Sequence, residues 1–130
     1  MTLPKFSLTD IVAIGLGGMI GSLLRWWLGL GFEGGFPVPT LFVNVAGSAA
    51  LAVLYASQHR LHPGGKYLYM VGFCGSFTTV SLFSYETLQL LQAGQFGTAL
   101  LNLLLPVGVA LALVAMIIPP VEKAVEGRPE

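Results

Sequence analysis

Residues 72–86 of the chain combine polar and apolar side chains in a pattern suited to binding ions. The run GFCGSFTTVSLFSYE holds two glycines, five serine or threonine hydroxyls and a carboxylate, yet it lies inside an otherwise apolar segment. Thr79, Phe83 and Glu86 are spaced by four and three residues, so they share one face of a helix. A hydroxyl, an aromatic edge and a carboxylate would then be aligned as a polar track along that face.

The composition is that of an integral membrane protein. Of the 130 residues, 55% are hydrophobic and only 9% are charged, which is outside the range of ordinary soluble domains. A membrane-spanning helix needs about 20 mostly apolar residues, and four stretches qualify, at residues 8–30, 40–57, 66–93 and 96–118. We therefore predict an all-α membrane protein, a single domain over residues 1–130 with four transmembrane helices in the lipid bilayer.

The third stretch is predicted to be broken near its centre. Lipid cannot satisfy the backbone groups that a break frees, so a break at Gly75, Ser76 and Phe77 needs protein, water or an ion beside it. The first half-helix would end in free carbonyls, which suit cations, and the second would begin with free amides, which suit anions. The alternative is an unbroken helix whose hydroxyls bond to their own backbone.

Two polar residues in the other stretches also need partners. Arg25 stands beside Trp26 and Trp27, whose indoles favour the headgroup level, so it is either an interface anchor or part of an ion pathway. Asn44 has apolar neighbours on both sides, and an amide that faced lipid would leave its donors unsatisfied. Asn44 must therefore face either another helix or a polar path.

The sequence argues against several other functions. The net charge is zero and there is no basic run, so we expect no nucleic acid partner. Cys74 is the only cysteine, which excludes an internal disulfide. His59 and His62 share a polar loop, and we expect them to be exposed rather than to bind a metal. No arrangement of nucleophile and base is indicated, so we do not expect an enzyme.

Three segments, taken together and in order, resemble the Fluc/CrcB family of fluoride channels. They are GGMIGSLLRWWLG, PTLFVNVAGS and GFCGSFTTVSLFSYE, and with the four-span layout the resemblance covers nearly the whole chain. It implies an antiparallel, dual-topology dimer in the plasma membrane, with two fluoride pores built from both subunits and a structural sodium ion at the dimer interface. It also implies passive export of fluoride from the cytoplasm and hence fluoride resistance.

The resemblance further implies roles for individual residues. The backbone carbonyls of Gly75 and Thr78 would hold the sodium ion, and Arg25 would draw anions into a vestibule. The residues that would line the fluoride pore are Asn44, Thr79, Val80, Ser81, Phe83 and Glu86. Val80 stands where the family has a first phenylalanine, which leaves only Phe83 of that pair. The fourth helix also lacks the hydroxyl expected beside the pore.

Two other functions stay open. A small multidrug-type, proton-coupled transporter would also be an antiparallel dimer of four short helices, but it needs a carboxylate embedded in its first helix, where this chain has only Asp10 at the edge. A non-conducting subunit of a heterodimeric fluoride channel is favoured by charge asymmetry. The Lys and Arg residues expected on the side of the termini, against Arg25 opposite, are Lys5, Arg60, Lys66, Lys123 and Arg128. Such asymmetry favours one orientation in the membrane, so the homodimer and the heterodimer both remain possible.

Overall fold

The computed structural model describes residues 6–32 and 35–127, and within these ranges the regular structure is entirely helical. The elements are α1 (Leu8–Gly29), α2 (Val38–Ala56), a 3-10 turn (Gln58–Arg60), α3 (Pro63–Lys66), a π-helix (Tyr67–Cys74), α4 (Gly75–Phe77), α5 (Val80–Gln92) and α6 (Phe96–Glu126). Four segments are long and apolar enough to cross a membrane, namely Leu8–Gly29, Val38–Ala56, Pro63–Gln92 and Phe96–Val125. The prediction of four such helices is confirmed.

Local sequence explains where the helices begin and turn. The Ser7 hydroxyl accepts a hydrogen bond from the amide of Asp10 at 3.2 Å, and the Asp10 carboxylate accepts one from the amide of Ser7 at 2.9 Å. This reciprocal pair is a capping box, which satisfies two amides that a helix start leaves free. Between α5 and α6, Gly94 has a φ of 72°, a conformation that glycine adopts without strain. The short turn makes α5 and α6 antiparallel neighbours.

α6 is longer than its apolar sequence predicts. The apolar run ends near residue 118, but α6 continues through Pro119 and Pro120 to Glu126. Its 31 residues span about 46 Å at the usual rise per residue, against about 30 Å of hydrocarbon in a bilayer. The Arg60 guanidinium donates to the carbonyl oxygen of Val125 at 2.6 Å, which places a cation where the helix dipole is negative. This contact joins the loop after α2 to the end of α6.

The glycines of α1 allow the π-helix to approach at backbone distance. A Cβ atom built on Gly21 would lie 2.5 Å from the carbonyl oxygen of Phe73, and one built on Gly72 would lie 2.5 Å from that of Ile14. Real side chains do not pack at such distances, so only glycine permits this contact. Small residues commonly allow close helix packing in membranes, where no hydrophobic force drives helices together. α1 thereby fixes the segment that leads into residues 72–86.

The large apolar side chains lie mostly on the outside of the described chain. Trp26 and Trp27 are 65% and 63% exposed, and Val80 is 78% exposed. The buried apolar residues are Val43, Ala52, Ala56, Cys74, Phe77, Leu90 and Ala99. An apolar surface of this extent needs lipid or another subunit against it.

Candidate ion-binding site

The third apolar segment leaves the helical conformation at two threonines. Thr78 has φ −79° and ψ 158°, and Thr79 has φ −150° and ψ 123°, both extended. The sequence predicts a break at Gly75 to Phe77 and a second helical piece that starts near Thr79; in the structure residues 75–77 form α4, the departure comes directly after them, and α5 begins at Val80. Both the amide and the hydroxyl of Thr78 donate to the carbonyl oxygen of Cys74, at 3.1 and 3.0 Å. Thr78 thus ends α4, and no glycine is needed for the change of direction.

Thr79 begins the next helix. Its hydroxyl oxygen accepts a hydrogen bond from the amide of Leu82 at 3.2 Å and lies 3.3 Å from the Ser81 hydroxyl. A threonine in this position satisfies one of the amides that the start of α5 would leave free. The sequence therefore contains its own stop and start signals, in two adjacent residues of the same type.

The Asn44 side chain from α2 bonds to both backbone groups of Thr79. Its Oδ1 accepts from the Thr79 amide at 2.7 Å, and its Nδ2 donates to the Thr79 carbonyl at 3.0 Å. Extended backbone has no intrahelical partners, so these two bonds replace the ones that a continuous helix would have made. The requirement that Asn44 find polar partners is met by the interruption itself.

Arg25 contacts the end of α4 from the other side. Its Nε donates to the carbonyl oxygen of Ser76 at 3.1 Å. The last carbonyls of a helix carry partial negative charge, so a guanidinium is favourable there. Arg25 therefore reaches inward to the interruption rather than serving only as an interface anchor beside the two tryptophans.

Some backbone carbonyl oxygens around the interruption accept hydrogen bonds and others do not. The carbonyls of Cys74, Ser76 and Thr79 accept the hydrogen bonds described above. Over residues 6–32 and 35–127, no hydrogen bond is found to the carbonyl oxygens of Gly75 and Thr78. These two oxygens are thus available to another donor or to a cation.

A groove of about 440 Å³ runs along this region and is walled partly by α6. The sequence-predicted residues that line it are Asn44, Gly75, Thr78, Thr79, Val80 and Phe83. Ser81 is exposed and lies outside the lining. The groove therefore collects most of the residues expected around ions.

Glu86 and Arg25 line a different cavity, of about 470 Å³. Oε1 of Glu86 accepts a hydrogen bond from the Thr40 hydroxyl at 2.7 Å. Its Oε2 is buried and has no partner in the part of the chain that the structure describes. Phe83 and Glu86 share one face of α5, yet they line different cavities. Phe83 lines the groove, whereas Glu86 lines the second cavity together with Arg25.

The sequence predicts no role for three residues that the structure joins to α5 by hydrogen bonds. Thr40 is 3% exposed and Asn102 is 0% exposed, and Thr87 receives a hydrogen bond from Asn102 at 2.9 Å. Asn102 was detectable, because an amide in an apolar stretch needs a partner just as Asn44 does. Thr40 and Thr87 gave no such signal, since a threonine can satisfy its hydroxyl on its own helix.

The two histidines are exposed, as expected. Nδ1 of His62 accepts a hydrogen bond from the amide of Gly64 at 3.2 Å, which caps the short α3. Among the described residues, no group of three or more histidine, cysteine or acidic side chains is placed to hold a metal ion.

Residues 12–118 match the family model described as CrcB-like protein, Camphor Resistance (CrcB). The chain belongs to the CrcB family. It is 41% identical over 113 residues to a protein of Shewanella frigidimarina named fluoride-specific ion channel FluC, covering 82% of this chain and 91% of the relative. A Leptospira interrogans protein of the same name is 40% identical over 121 residues, covering 83% and 94%. With its four membrane-crossing helices, this CrcB-family chain is an integral membrane protein.

Proposed function

We propose that this chain is a passive, fluoride-selective channel of the plasma membrane that exports fluoride from the cytoplasm and confers fluoride resistance. The observation that carries the proposal is the extended conformation of Thr78 and Thr79 beside a groove. The Asn44 side chain stabilises it through hydrogen bonds to the amide and the carbonyl of Thr79. A membrane segment tolerates such an interruption only beside protein, water or an ion. The relatives' name, fluoride-specific ion channel, identifies the ion.

The groove supplies the donors that a small, strongly hydrated anion needs in place of water. Asn44 uses one N–H of its Nδ2 on Thr79, and a primary amide has a second. The first amides of α5, at Val80 and Ser81, have no acceptor in the described residues and lie at the positive end of the helix dipole. The Phe83 ring adds the positive edge of its quadrupole. Several weak donors in sequence let the anion pass without being trapped.

Glu86 does not obstruct this path. A carboxylate in the groove would repel fluoride, but the Thr40 hydroxyl holds Glu86 in the second cavity, which Arg25 also lines. The same cavity would serve as a vestibule in which Arg25 attracts anions before they reach Phe83.

A sodium ion at a dimer interface fits the unoccupied carbonyl oxygens of Gly75 and Thr78. Hard cations prefer oxygen ligands and require several of them, whereas one chain offers two here. A second, antiparallel copy related by a two-fold axis would contribute the same two oxygens. Gly75 is exposed and an added Cβ would meet nothing within 4 Å, so another subunit could approach it. The ion would then join the two subunits and neutralise the carbonyls.

A non-conducting subunit of a heterodimeric channel is the second candidate. Val80 is 78% exposed at the start of α5, where an aromatic ring would add an anion contact and valine adds none. Arg60 also bonds to Val125, so the loop after α2 and the end of α6 share one side with their basic residues. A partner with the reverse bias would complete an antiparallel pair.

Fluoride efflux from liposomes that contain the purified chain tests the proposal. We expect fluoride to leave down its gradient, with chloride excluded, and efflux to fall when sodium is replaced by a bulky organic cation. No flux above empty liposomes from folded, dimeric protein, alone and with a reversed homologue, would refute it. Proton movement driven by cationic drugs would instead favour the small multidrug-type transporter.

A further inference from the structure

Two consecutive hydrogen bonds connect Asn102 on α6, through Thr87, to the backbone of Phe83 on α5. Asn102 is fully buried, and its Nδ2 donates to Oγ1 of Thr87 at 2.9 Å. The Thr87 hydroxyl donates in turn to the carbonyl oxygen of Phe83 at 2.8 Å. A hydroxyl has one proton, so a Thr87 that gives its proton to Phe83 must accept from Asn102. The directions of both bonds are therefore linked.

Packing alone does not explain an asparagine at this position. Oδ1 of Asn102 is buried without a partner in the described parts of the chain, and an unsatisfied buried acceptor is destabilising. Leucine surrounds Asn102 on both sides in the sequence, and a leucine there would remove the unsatisfied atom. The donor that Asn102 presents to Thr87 is the one polar contact that it makes in the described residues.

The second of these bonds ends at the backbone of Phe83, a residue of α5 that lines the groove. A threonine hydroxyl that bonds to the carbonyl four residues earlier tends to bend a helix, and the Thr87 hydroxyl makes this bond to the Phe83 carbonyl oxygen. Pro106 follows Asn102 by four residues, on the same face of α6, and lines the groove together with Phe83. Asn102 therefore connects the turn of α5 at Phe83 to the helix that forms the facing wall.

We infer that Asn102 is a positioning residue that acts through Thr87 to set the Phe83 ring in the groove, and thereby the selectivity for fluoride. The selectivity part rests on the proposed function. The placement of the ring is a property of the fold and is measurable without any ion flux.

The test uses variants that remove one of the two bonds or, through loss of the Thr87 hydroxyl, both of them. Asn102→Leu removes the donor, Thr87→Val removes the hydroxyl at nearly constant volume, and the double variant removes both. Thr87→Ser keeps the hydroxyl. Ser84→Ala is the matched control, because the Ser84 hydroxyl also donates to the carbonyl four residues earlier, at 2.8 Å from Val80, but lies on the exposed side of α5.

Two readouts are compared on the full-length protein. One is the 19F resonance of 4-fluorophenylalanine placed at position 83, and the other is the fluoride-to-chloride flux ratio in liposomes. We expect Thr87→Val to shift the resonance, Asn102→Leu to shift it in the same direction by no more than that, and the double variant to match Thr87→Val. Each should lower the flux ratio about fivefold, the factor that one ordinary hydrogen bond supplies. Thr87→Ser and Ser84→Ala should leave both readouts unchanged.

An unchanged resonance in Thr87→Val would overturn the inference, and so would additive shifts in the double variant. If Asn102→Leu does not fold, the comparison of Thr87→Val with Thr87→Ser tests the inference without it. Shifted resonances in a chain that conducts no fluoride would sustain the positioning role and refute the proposed function. Fluoride flux together with an unchanged resonance in the variants would support the proposed function and refute the positioning role.

Discussion

The side-chain amide of Asn44 pairs with the backbone of Thr79 as a neighbouring β-strand would, with an acceptor distance of 2.7 Å and a donor distance of 3.0 Å. A single side chain on α2 thus satisfies both groups of an extended residue between two helices. The pair explains how an apolar segment can leave the helical conformation without exposing backbone to lipid. It also means that Asn44 has a structural task besides any contact with an anion.

Asn44→Asp should therefore impair both stability and flux. The variant keeps an acceptor for the Thr79 amide but places a second acceptor against the Thr79 carbonyl, and a lost buried partner costs about 1 to 3 kcal/mol. We expect fluoride efflux to fall at least about tenfold, because a free-energy loss of about 1.4 kcal/mol, which lies within this range, corresponds to a factor of ten. Ser57→Ala, which removes a hydroxyl bonded to the Val53 carbonyl oxygen at the end of α2 and outside the groove, is the control. Unchanged flux in Asn44→Asp would remove Asn44 from the pore.

Arg25→Lys should separate the effect of the positive charge at position 25 from that of the hydrogen bond to Ser76. Lysine keeps the positive charge for the vestibule but lacks the planar guanidinium whose Nε reaches Ser76. A hydrogen bond to a charged group contributes about 1.5 to 3 kcal/mol, and we expect thermal stability in detergent to fall accordingly. The control is Arg60→Lys, which alters an exposed contact to Val125. Equal losses in both variants would show that the Ser76 contact has no special role.

Gly17→Ala should disrupt the contact between α1 and the π-helix. A Cβ atom on Gly17 would collide with the carbonyl oxygen of Leu68, whereas one on Gly15 meets nothing within 4 Å. Overpacking of this kind costs about 1 to 3 kcal/mol, while alanine in an open helical position adds about 0.5 to 1 kcal/mol of stability. Denaturation of the two variants in detergent measures the difference. Similar stabilities would show that α1 and the π-helix are not in close contact.

Val80→Phe should raise fluoride flux without changing the fold. Val80 is 78% exposed, so a larger ring meets no packed core, and its edge would add an anion contact at the start of α5. The same ring quadrupole contributes about 0.5 to 1.5 kcal/mol between two aromatic rings, and with the lower part of that range for an anion we expect efflux to rise about threefold. Val71→Phe, at a residue that is 53% exposed on the π-helix, should leave efflux unchanged. Equal effects of the two variants would argue against a specific contact at position 80.

The sequence by itself determined the membrane class, the number of crossing helices and the need of Asn44 for a polar partner. Each follows from local chemistry, because lipid imposes length, apolarity and hydrogen-bond satisfaction on every segment separately. The stop and start signals of Thr78 and Thr79 were also present in the sequence. The interpretation of the sequence ends the first half-helix near Gly75 and starts the second near Thr79, whereas in the structure Thr78 follows the end of α4 and Thr79 caps α5.

Only the tertiary structure decided which groups meet. Glu86 shares a helical face with Phe83, yet Thr40 turns it into the cavity of Arg25, because the partner lies on α2 and helical periodicity contains no information about it. The same holds for Thr87, whose hydroxyl acquires its second partner across the turn from Asn102. Spacing along one helix fixes which side chains lie side by side, whereas packing between helices fixes what each of them faces.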